Sequence, residues 1–203
     1  MKEKITPVRT IRDQIVGMLR ADILSGRLPR GTKLREQALA ERFGVSRAPI
    51  RDVIMQLTQQ GLAVSEPNCG ATVSERAAEW MQPLIVKIRL DIEIFALRKS
   101  IKQIGDNDIA RLEELVEGIG KACADGDMAA VADLDISFHE ALLSCADEPD
   151  LIAIWLPIVT RMILQYTRLV EREEIHEEHV EILEAVRAKD IQRAVRALKQ
   201  NIR

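Results

Sequence analysis

The sequence lacks any apolar run near the roughly 18 residues that a membrane-spanning helix needs. Its longest apolar candidate, residues 151–159, is much shorter and is interrupted by Pro157. The N-terminal segment MKEKITPVRTIRDQ has no apolar core of the kind found in a secretion signal. These absences predict a protein that neither crosses a membrane nor carries a cleaved leader.

Cysteine is scarce. The three cysteines, Cys69, Cys123 and Cys145, are scattered and form no CxxC pair. Isolated thiols without a disulfide or metal pattern suit the reducing cytoplasm, where we expect the protein to act. Cys69 lies in a predicted turn, where a redox switch is one interpretation and an incidental thiol is the simpler one.

Motifs of catalysis are missing as well. The run from His176 to His179 is similar to a zinc-protease motif, but its histidines are three residues apart and not the required four. A di-iron bundle needs two Glu-x-x-His motifs, and only Glu173 to His176 fits. No nucleophile elbow and no glycine-rich phosphate loop is present. The sequence therefore argues against an enzyme, and a helical metalloenzyme is the least favoured class.

The small net charge of −3 hides an uneven distribution. Residues 1–75 hold 12 Lys and Arg against 8 Asp and Glu, whereas residues 76–203 hold 17 against 24. A basic first part suits contacts with phosphates, and an acidic second part is repelled by the same backbone. This division supports a nucleic-acid partner without establishing one.

The segment LAERFGVSRAPIRDVIMQLTQQG, residues 39–61, has the pattern of two short helices joined by a tight turn. Gly44 stands where the first helix must end, because glycine adopts a positive φ without steric cost. Ser46 is a favourable N-cap for the second helix, and Pro49 lies in its first turn, where a missing N–H is harmless. The side chains predicted to face inward are Leu39, Phe43, Val45, Ile50, Val53, Ile54 and Leu57.

Arg47 and Arg51 are four residues apart and share the other face of the second helix. A helix with a buried back and arginines at its N-terminal end suits the major groove of DNA. An ordinary helical hairpin with a solvated basic face would carry the same arginines. The next segment, residues 61–73, favours the DNA-binding interpretation, because it has the pattern of two short strands around an Asn-Cys-Gly turn. Together these elements predict a winged helix.

Residues 23–73 resemble the N-terminal domain of GntR-type bacterial transcription regulators. The matching features are SGRLPRG at 25–31, Leu34, Glu36, GVSRAPIR at 44–51, Gly61-Leu62, Asn68 and Gly70. Many relatives have an arginine directly after the residue that matches Glu36; this chain has Gln37, and Arg35 is the candidate substitute. The DNA-binding residues that the resemblance implies are Arg35, Ser46, Arg47, Ala48, Pro49, Arg51 and Gly70.

A first helix is predicted from the four-residue recurrence of Ile11, Ile15, Leu19 and Ile23, ending at Ser25-Gly26. We expect it to pack behind the helix-turn-helix. The basic residues that precede it, Lys2, Lys4 and Arg9, are candidate phosphate contacts.

The remainder of the chain has a helical pattern throughout. Helices are predicted near 77–103, 107–124, 127–146, 149–172, 174–188 and 190–202, with N-caps at Asp106 or Asn107, Asp127 and Asp190. Pro157 should kink or shorten the fourth of them. The predicted fold class is mostly α, with a winged helix-turn-helix domain at residues 1–74 and an all-α bundle at residues 75–203.

Asp135 and His139 are four residues apart, so one helical turn places them on the same face beside apolar neighbours. His179 lies on a later helix, also among apolar residues. A carboxylate and two imidazoles from separate helices are a normal set of ligands for a divalent metal inside a bundle. A surface hydrogen bond and a structural histidine would show the same spacing.

LDISFH at 134–139 and HVEILEAV at 179–186, followed by Asp190 and Ala194, resemble the all-helical effector domain of the FadR-like branch, called the FCD domain. The resemblance implies a zinc- or nickel-like ion held by an Asp, a His one turn later and two further histidines. Asp135, His139 and His179 match three of these ligands. Asn201 stands at the fourth position, and an amide oxygen is a weaker, neutral ligand for such metals. His176 is one turn from His179 but should point to a different sector.

IRLDIE at 88–93 also matches this branch. An internal Arg89 would suit a carboxylate effector, because its planar fork can bind two oxygens. An i,i+4 ion pair between Arg89 and Glu93 is equally consistent with the spacing.

The sequence thus predicts a bacterial DNA-binding transcription regulator, a homodimer on a palindromic operator. A small carboxylate effector, with zinc or nickel as candidate cofactor, is expected to control its affinity for DNA. The alternative is an effector-independent DNA-binding protein in which Asp135, His139 and His179 are a relic. Relatives usually continue a little beyond the position of Asn201, so a shortened C-terminus is one interpretation.

Overall fold

The structure, a computed structural model, describes residues 10–66, 70–75, 77–163 and 172–203. The chain divides into two compact units, Met1–Glu75 and Arg76–Arg203. The predicted contacts at Lys2, Lys4 and Arg9 and the turn residues Asn68 and Cys69 lie outside the described residues.

The first unit begins with helix α1, Ile11–Leu24. Thr10 and Asp13 cap its start reciprocally, with the Asp13 N–H donating to Thr10 Oγ1 and the Thr10 N–H donating to Asp13 Oδ2. The helix packs on the third helix of the unit through Ile15, Val16, Leu19 and Ile23. Ile11 was predicted to join this face but is exposed, because the packed part of the helix begins one turn later.

Helices α2, Glu36–Phe43, and α3, Arg47–Gln59, form the predicted helix-turn-helix. Gly44 ends α2 in the left-handed region at φ 65°. Ser46 has the extended N-cap backbone, but the expected side-chain capping bond is absent. Pro49, at the third helical position, has no N–H, so one of the two usual donors for such a bond is missing. Of the residues predicted inside, Leu39, Ile50, Val53 and Leu57 are buried, and Phe43, Val45 and Ile54 are half-buried.

The wing is an antiparallel sheet. Strands β2, Ala63–Glu66, and β3, Gly70–Val73, pair with Val64 opposite Thr72. A two-residue strand β1, Lys33–Leu34, which the sequence did not predict, pairs with the other edge of β3 and gives the order β1-β3-β2. The sheet therefore ties the wing to the segment that precedes α2.

The second unit contains helices and no strands among its described residues. A short 3₁₀ turn, Glu79–Met81, precedes six helices. These are α4, Gln82–Ser100; α5, Asp106–Asp125; α6, Met128–Ser144; α7, Pro149–Ile163; α8, Arg172–Arg187; and α9, Ile191–Asn201. The core lies where α5 packs on α6 and α8, α4 on α7, and α8 on α9. None of the described helices is both long enough and apolar enough to span a bilayer.

Helix starts in this unit follow local capping chemistry. Asp127 and Asp190 accept from backbone N–H groups at the starts of α6 and α9, as predicted. The N-cap of α5 is Gly105, not Asp106 or Asn107, because the Asp108 carboxylate accepts from the Gly105 N–H at 2.9 Å. Helix α4 begins later than predicted, with proline in its first turn. Pro157 lies inside α7.

Candidate DNA interface and metal centre

The N-terminal end of α3 presents the predicted DNA-binding residues to solvent. Arg47, Ala48 and Arg51 are exposed on the first turns, Ser46 is exposed at the N-cap, and Pro49 is half-buried. The buried back of the helix, Ile50, Val53 and Leu57, fixes this orientation. The arrangement presents two guanidinium groups on the side of α3 that faces away from the core.

Both arginines are bound to the first turn of α2. Arg47 donates to Gln37 Oε1 at 3.1 Å, and Arg51 donates through Nε to Glu36 Oε2 at 2.8 Å. Side chains already restrained in this way lose less conformational entropy on binding. Gln37, the departure from the GntR-type pattern, therefore supports the position of Arg47.

Arg35 and Gly70 lie outside α3 but are also exposed. Arg35 is the N-cap residue of α2, and its side chain makes no capping bond. Gly70 opens β3 at φ 84°, a backbone conformation that favours glycine. Apart from its chain neighbours, no atom of the described residues lies within 4 Å of where a Cβ would be at this position. The wing is therefore open to an incoming surface at this position.

An ion-pair cluster that the sequence did not predict holds the first unit together. Asp22 of α1 is buried and accepts from Arg27 Nε at 2.8 Å and from Arg42 of α2 at 2.5 Å. Burial raises the pKa of this carboxyl, but the hydrogen bonds and charges of the two arginines lower it below its ordinary value. The available sequence signal was an acidic residue directly before Ile23 on the buried face of α1.

In the second unit, the structure brings together Asp135 and His139 of α6 and His179 of α8. All three are buried, and one potential ligand atom from each lies within 4.8 Å of the others. His179 Nε2 is 3.2 Å from Asp135 Oδ1, and His139 Nε2 is 3.8 Å from the same oxygen. Among the histidine, cysteine, aspartate and glutamate side chains of the described residues, these three form the group whose atoms are close enough to bind one metal ion.

The two imidazoles are oriented by their other ring nitrogens. His139 Nδ1 is 2.6 Å from Glu93 Oε2, and His179 Nδ1 is 2.7 Å from the Ile175 carbonyl oxygen. Both partners only accept, so each Nδ1 carries a proton and Nε2 is the ring nitrogen that faces Asp135. Within the described part of the chain, neither buried Nε2 makes a hydrogen bond of good geometry, although His179 Nε2 lies 3.2 Å from Asp135 Oδ1. A second hydrogen bond of this kind is what metal-ligating histidines normally make.

Glu93 is the centre of a buried polar network. Its Oε1 accepts from Arg89 Nε at 2.7 Å and from Trp155 Nε1 at 2.7 Å, while Oε2 binds His139. Burial raises the pKa of Glu93, but attraction to His139 and Arg89 and the hydrogen bonds from both lower it to about 2. The sequence predicted the pair with Arg89 but missed the bonds to His139 and Trp155, which connect residues distant along the chain.

Arg89 joins Glu93 to the candidate metal ligands. Its NH2 is 3.7 Å from Asp135 Oδ2, and its NH1 is 3.5 Å from the Met162 sulfur. Burial raises the pKa of Asp135, but the histidines and Arg89 hold it well below its ordinary value. Metal binding requires neutral imidazoles, and in that state the network would contain one cation and two carboxylates, a net negative charge that suits a divalent cation.

Asn201, at the fourth position that the resemblance implies, has a side-chain hydrogen bond to a residue outside the group of Asp135, His139 and His179. This buried residue of α9 donates through Nδ2 to Glu178 Oε2 at 3.2 Å. His176 is also elsewhere, since its ring packs where a Cβ on Gly120 of α5 would be. The predicted separation of His176 from the ligand set agrees with this placement.

Comparison with known proteins gives two family matches. Residues 11–73 match the gntR family of bacterial regulatory proteins, and residues 84–203 match the FCD domain. The transcriptional regulator YdhC of Bacillus subtilis is 30% identical over 87% of this chain and 81% of its own. The repressor RspR of Escherichia coli is 25% identical over 100% of this chain and 90% of its own. The gluconate operon repressor of Bacillus subtilis is 28% identical over 90% of this chain and 78% of its own.

Solved structures agree on the fold. Escherichia coli McbR/YncC has a TM-score of 0.78 at 23% identity, over 96% of this chain and 94% of its own. A GntR protein of Rhodococcus sp. RHA1 has a TM-score of 0.73 at 22% identity, over 94% and 93%. The relatives are transcription regulators and not enzymes. The chain therefore belongs to the GntR family, as a DNA-binding transcription regulator with a winged helix-turn-helix domain followed by an FCD effector domain.

Proposed function

We propose that Asp135, His139 and His179 hold a divalent metal, zinc or nickel, and that a small carboxylate effector binds beside it to control operator affinity. The observation that carries the proposal is the convergence of two buried Nε2 atoms on Asp135 Oδ1, with each Nδ1 already bound to an acceptor. Three protein ligands with a further open position are typical of zinc sites that bind an exogenous ligand.

The charges of the site favour an anionic effector. A divalent ion would convert the net negative charge of Arg89, Glu93 and Asp135 into a net positive one, and a carboxylate would then neutralise it. Arg89 supports this role, because its buried guanidinium donates to Glu93 and lies 3.7 Å from Asp135, beside the place where an anion would bind. Asn201 at the fourth position leaves the ion less tightly held than a third histidine would.

In the DNA step, Arg47 and Arg51 read the major groove, Arg35 contacts phosphate, and Gly70 brings the wing close to the minor groove. A homodimer places two such heads on a palindromic operator in the cytoplasm. The effector binds one arrangement of the heads better than the other and thereby shifts DNA affinity.

The second candidate is an effector-independent DNA-binding protein. The observation that favours it is the bond from Asn201 Nδ2 to Glu178, which gives the residue at the fourth position a protein partner. The two candidates differ in their response to ligand, because only a sensor gains stability from a carboxylate bound at the site.

The experiment is a thermal-shift screen of small mono- and dicarboxylates against metal-free protein, with and without Zn²⁺ or Ni²⁺. A DNA duplex that the protein binds is first selected from a random double-stranded library. Each carboxylate that raises Tm is then tested for its effect on the affinity of the protein for this duplex at fixed salt. If the protein is a sensor, at least one carboxylate should raise Tm only when metal is present. The same carboxylate should change DNA affinity in wild type and in the control His176→Ala, but not in His179→Ala. Silence of the whole panel, or an equal response in His179→Ala, supports the effector-independent protein.

A further inference from the structure

Gln37 connects the two helices of the helix-turn-helix at the edge that carries Arg47. Its Oε1 accepts from Arg47 NH2 at 3.1 Å, and its Nε2 donates to Glu41 Oε1 at 3.1 Å. A carboxylate only accepts, so the amide is fixed with its nitrogen towards Glu41 and its oxygen towards Arg47. The three exposed side chains therefore form an ordered row that ends at the first residue of α3.

The charges beside Gln37 are balanced. Arg47 and Arg51 contribute two positive charges, and Glu36 and Glu41 of α2 contribute two negative ones. Gln37 adds none, whereas an arginine at this position would make the group net positive. Sequence-independent affinity for DNA comes from basic side chains that neutralise phosphates. A balanced group is therefore better suited to the reading of bases than to attraction by the DNA backbone.

The bond from Arg47 to Gln37 contributes little to stability while it lies in water. Both side chains are exposed, and such a bond replaces hydrogen bonds to water of similar strength. Insertion of α3 into the major groove would remove that water, and the bond would then hold the guanidinium in one orientation. Arg47 NH2 has two N–H groups, so it can donate to Gln37 and to the O6 or N7 of a guanine at the same time.

We propose that Gln37 determines sequence specificity by positioning the Arg47 guanidinium for one guanine per bound chain, without a base contact of its own. This inference rests on the proposed role of Arg47 in the major groove. Gln37 acts through its acceptor oxygen, so a side chain that accepts from Arg47 preserves the discrimination between bases. A side chain without an acceptor loses it, and the stability of the folded protein stays the same.

The test starts from a DNA duplex that the wild type selects from a random double-stranded library. Fluorescence anisotropy at fixed salt gives the affinities for this duplex and for duplexes with each base pair replaced in turn. The ratio of the two affinities is the discrimination at that pair. Arg47→Ala identifies the pair that Arg47 reads, because replacement of this pair no longer lowers the affinity.

Gln37→Met keeps the length of the side chain but removes both polar atoms. Discrimination at the Arg47 pair should fall roughly 10-fold, and discrimination at the other pairs should change less than about 2-fold. The melting temperature should change by less than about 2 °C, as for an exposed substitution. The matched control Gln200→Met, at an exposed glutamine of α9, should leave the discrimination at every pair unchanged.

An exchange of the amide and the carboxylate tests the acceptor itself. The double variant Gln37→Glu with Glu41→Gln keeps the net charge, and it again places an acceptor beside Arg47 with an amide donor behind it. It should keep the discrimination at the Arg47 pair within about 2-fold of wild type. A loss as large as that in Gln37→Met would overturn the role of the acceptor oxygen.

A double-mutant cycle separates positioning from a base contact by Gln37. Gln37→Met should have no further effect on discrimination in the background of Arg47→Ala, because no guanidinium is left to position. Additive effects, or a loss at a pair that Arg47→Ala leaves unchanged, would show that Gln37 reads a base itself and would overturn the proposal. A lower melting temperature with unchanged discrimination would make Gln37 a structural residue and would also overturn it.

The result for Arg47→Ala alone separates this inference from the proposed function. Equal losses of affinity for all duplexes, with a salt dependence reduced by about one counterion per bound chain, would show a phosphate contact. That result, or no loss at all, would count against base reading by Arg47 and against the inference together. Discrimination that depends on Arg47 but is unchanged in Gln37→Met would overturn the inference and leave the role of Arg47 intact.

Discussion

Glu93 Oε2 and His139 Nδ1 are 2.6 Å apart in the buried centre of the helical unit. The bond joins α4 to α6 and fixes the ring so that Nε2 points towards Asp135 and His179. Glu93 is therefore a positioning residue for the candidate metal centre, although it is not itself in the ligand set.

Replacing Glu93 by Gln should weaken zinc binding by about 10- to 100-fold, because an amide orients the ring less firmly and makes the imidazole less basic. The measurement is a competition titration of metal-free protein against a chromophoric chelator. If Glu93 is only structural, Glu93→Gln should lower the melting temperature of the metal-free protein but leave the zinc affinity of the folded protein unchanged. That result would count against Glu93 as a positioning residue.

The low pKa of Glu93 predicts acid sensitivity. A carboxyl that ionises at about 2 in the folded state and at its ordinary 4.5 when unfolded adds stability above pH 4.5, and this stability is lost as the pH falls towards 2. At pH 3.5 the loss should be about 1 kcal/mol relative to pH 6. Urea unfolding followed by tryptophan fluorescence measures it, since Trp155 contacts Glu93. The wild type should lose more stability than Glu93→Gln over this range, and equal losses would contradict the predicted shift.

Arg51→Ala should reduce affinity for a selected operator duplex by roughly 10- to 100-fold at fixed salt, as expected for an arginine that reads a base edge. Arg51→Lys should recover only a small part, because lysine keeps the charge but not the planar fork. Fluorescence anisotropy gives the affinities, with exposed Arg196→Ala of α9 as the control. Unchanged specific binding by Arg51→Ala would refute the assignment of α3 as the recognition helix.

Gly70→Ala tests the approach of the wing to DNA. Its positive φ costs an alanine about 1 kcal/mol of stability, whereas the added methyl meets no described atom within 4 Å beyond its chain neighbours. Gly26→Ala is a matched control, with φ 76° and nothing within 4 Å of its Cβ. Both variants should lose similar stability, but Gly70→Ala should lose more operator affinity. If the two lose the same affinity, the wing does not approach DNA at this residue.

Asp22→Ala should destabilise the first unit by about 1–2 kcal/mol, near the lower end for a buried charged partner because Arg27 and Arg42 are partly exposed. Hydrogen exchange of α1 and α2 measures the effect locally, and a double-mutant cycle compares Asp22→Ala, Arg42→Ala and the variant that carries both changes. Additive effects of Asp22 and Arg42 would show that their contact contributes nothing.

The sequence predicted the winged helix and the helical effector unit because their patterns are local: Gly44, the apolar spacing of α3 and the caps at Asp127 and Asp190 each act within a few residues. The grouping of Asp135, His139 and His179 was also foreseen, from spacing and resemblance together. Strand β1 was not predicted, because two residues are too few to show a periodic pattern and they pair only with a strand far along the chain. Trp155 and Arg42 were missed for the same reason: their partners, Glu93 and Asp22, are near in space but distant in sequence.

Retention of the metal is a separate expectation. Because Asn201 replaces a histidine, protein purified without added metal and then dialysed should hold less than one zinc or nickel ion per chain by elemental analysis. Stoichiometric metal that survives dialysis would show that Asp135, His139 and His179 suffice for tight binding.

The most direct test of the account is a calorimetric titration of Zn²⁺ into metal-free protein. We predict saturable binding of one ion per chain in wild type and in His176→Ala, and loss of this binding in Asp135→Ala, His139→Ala and His179→Ala. Binding by His179→Ala that equals the wild type would contradict the metal centre, and with it the proposed sensing of a carboxylate effector.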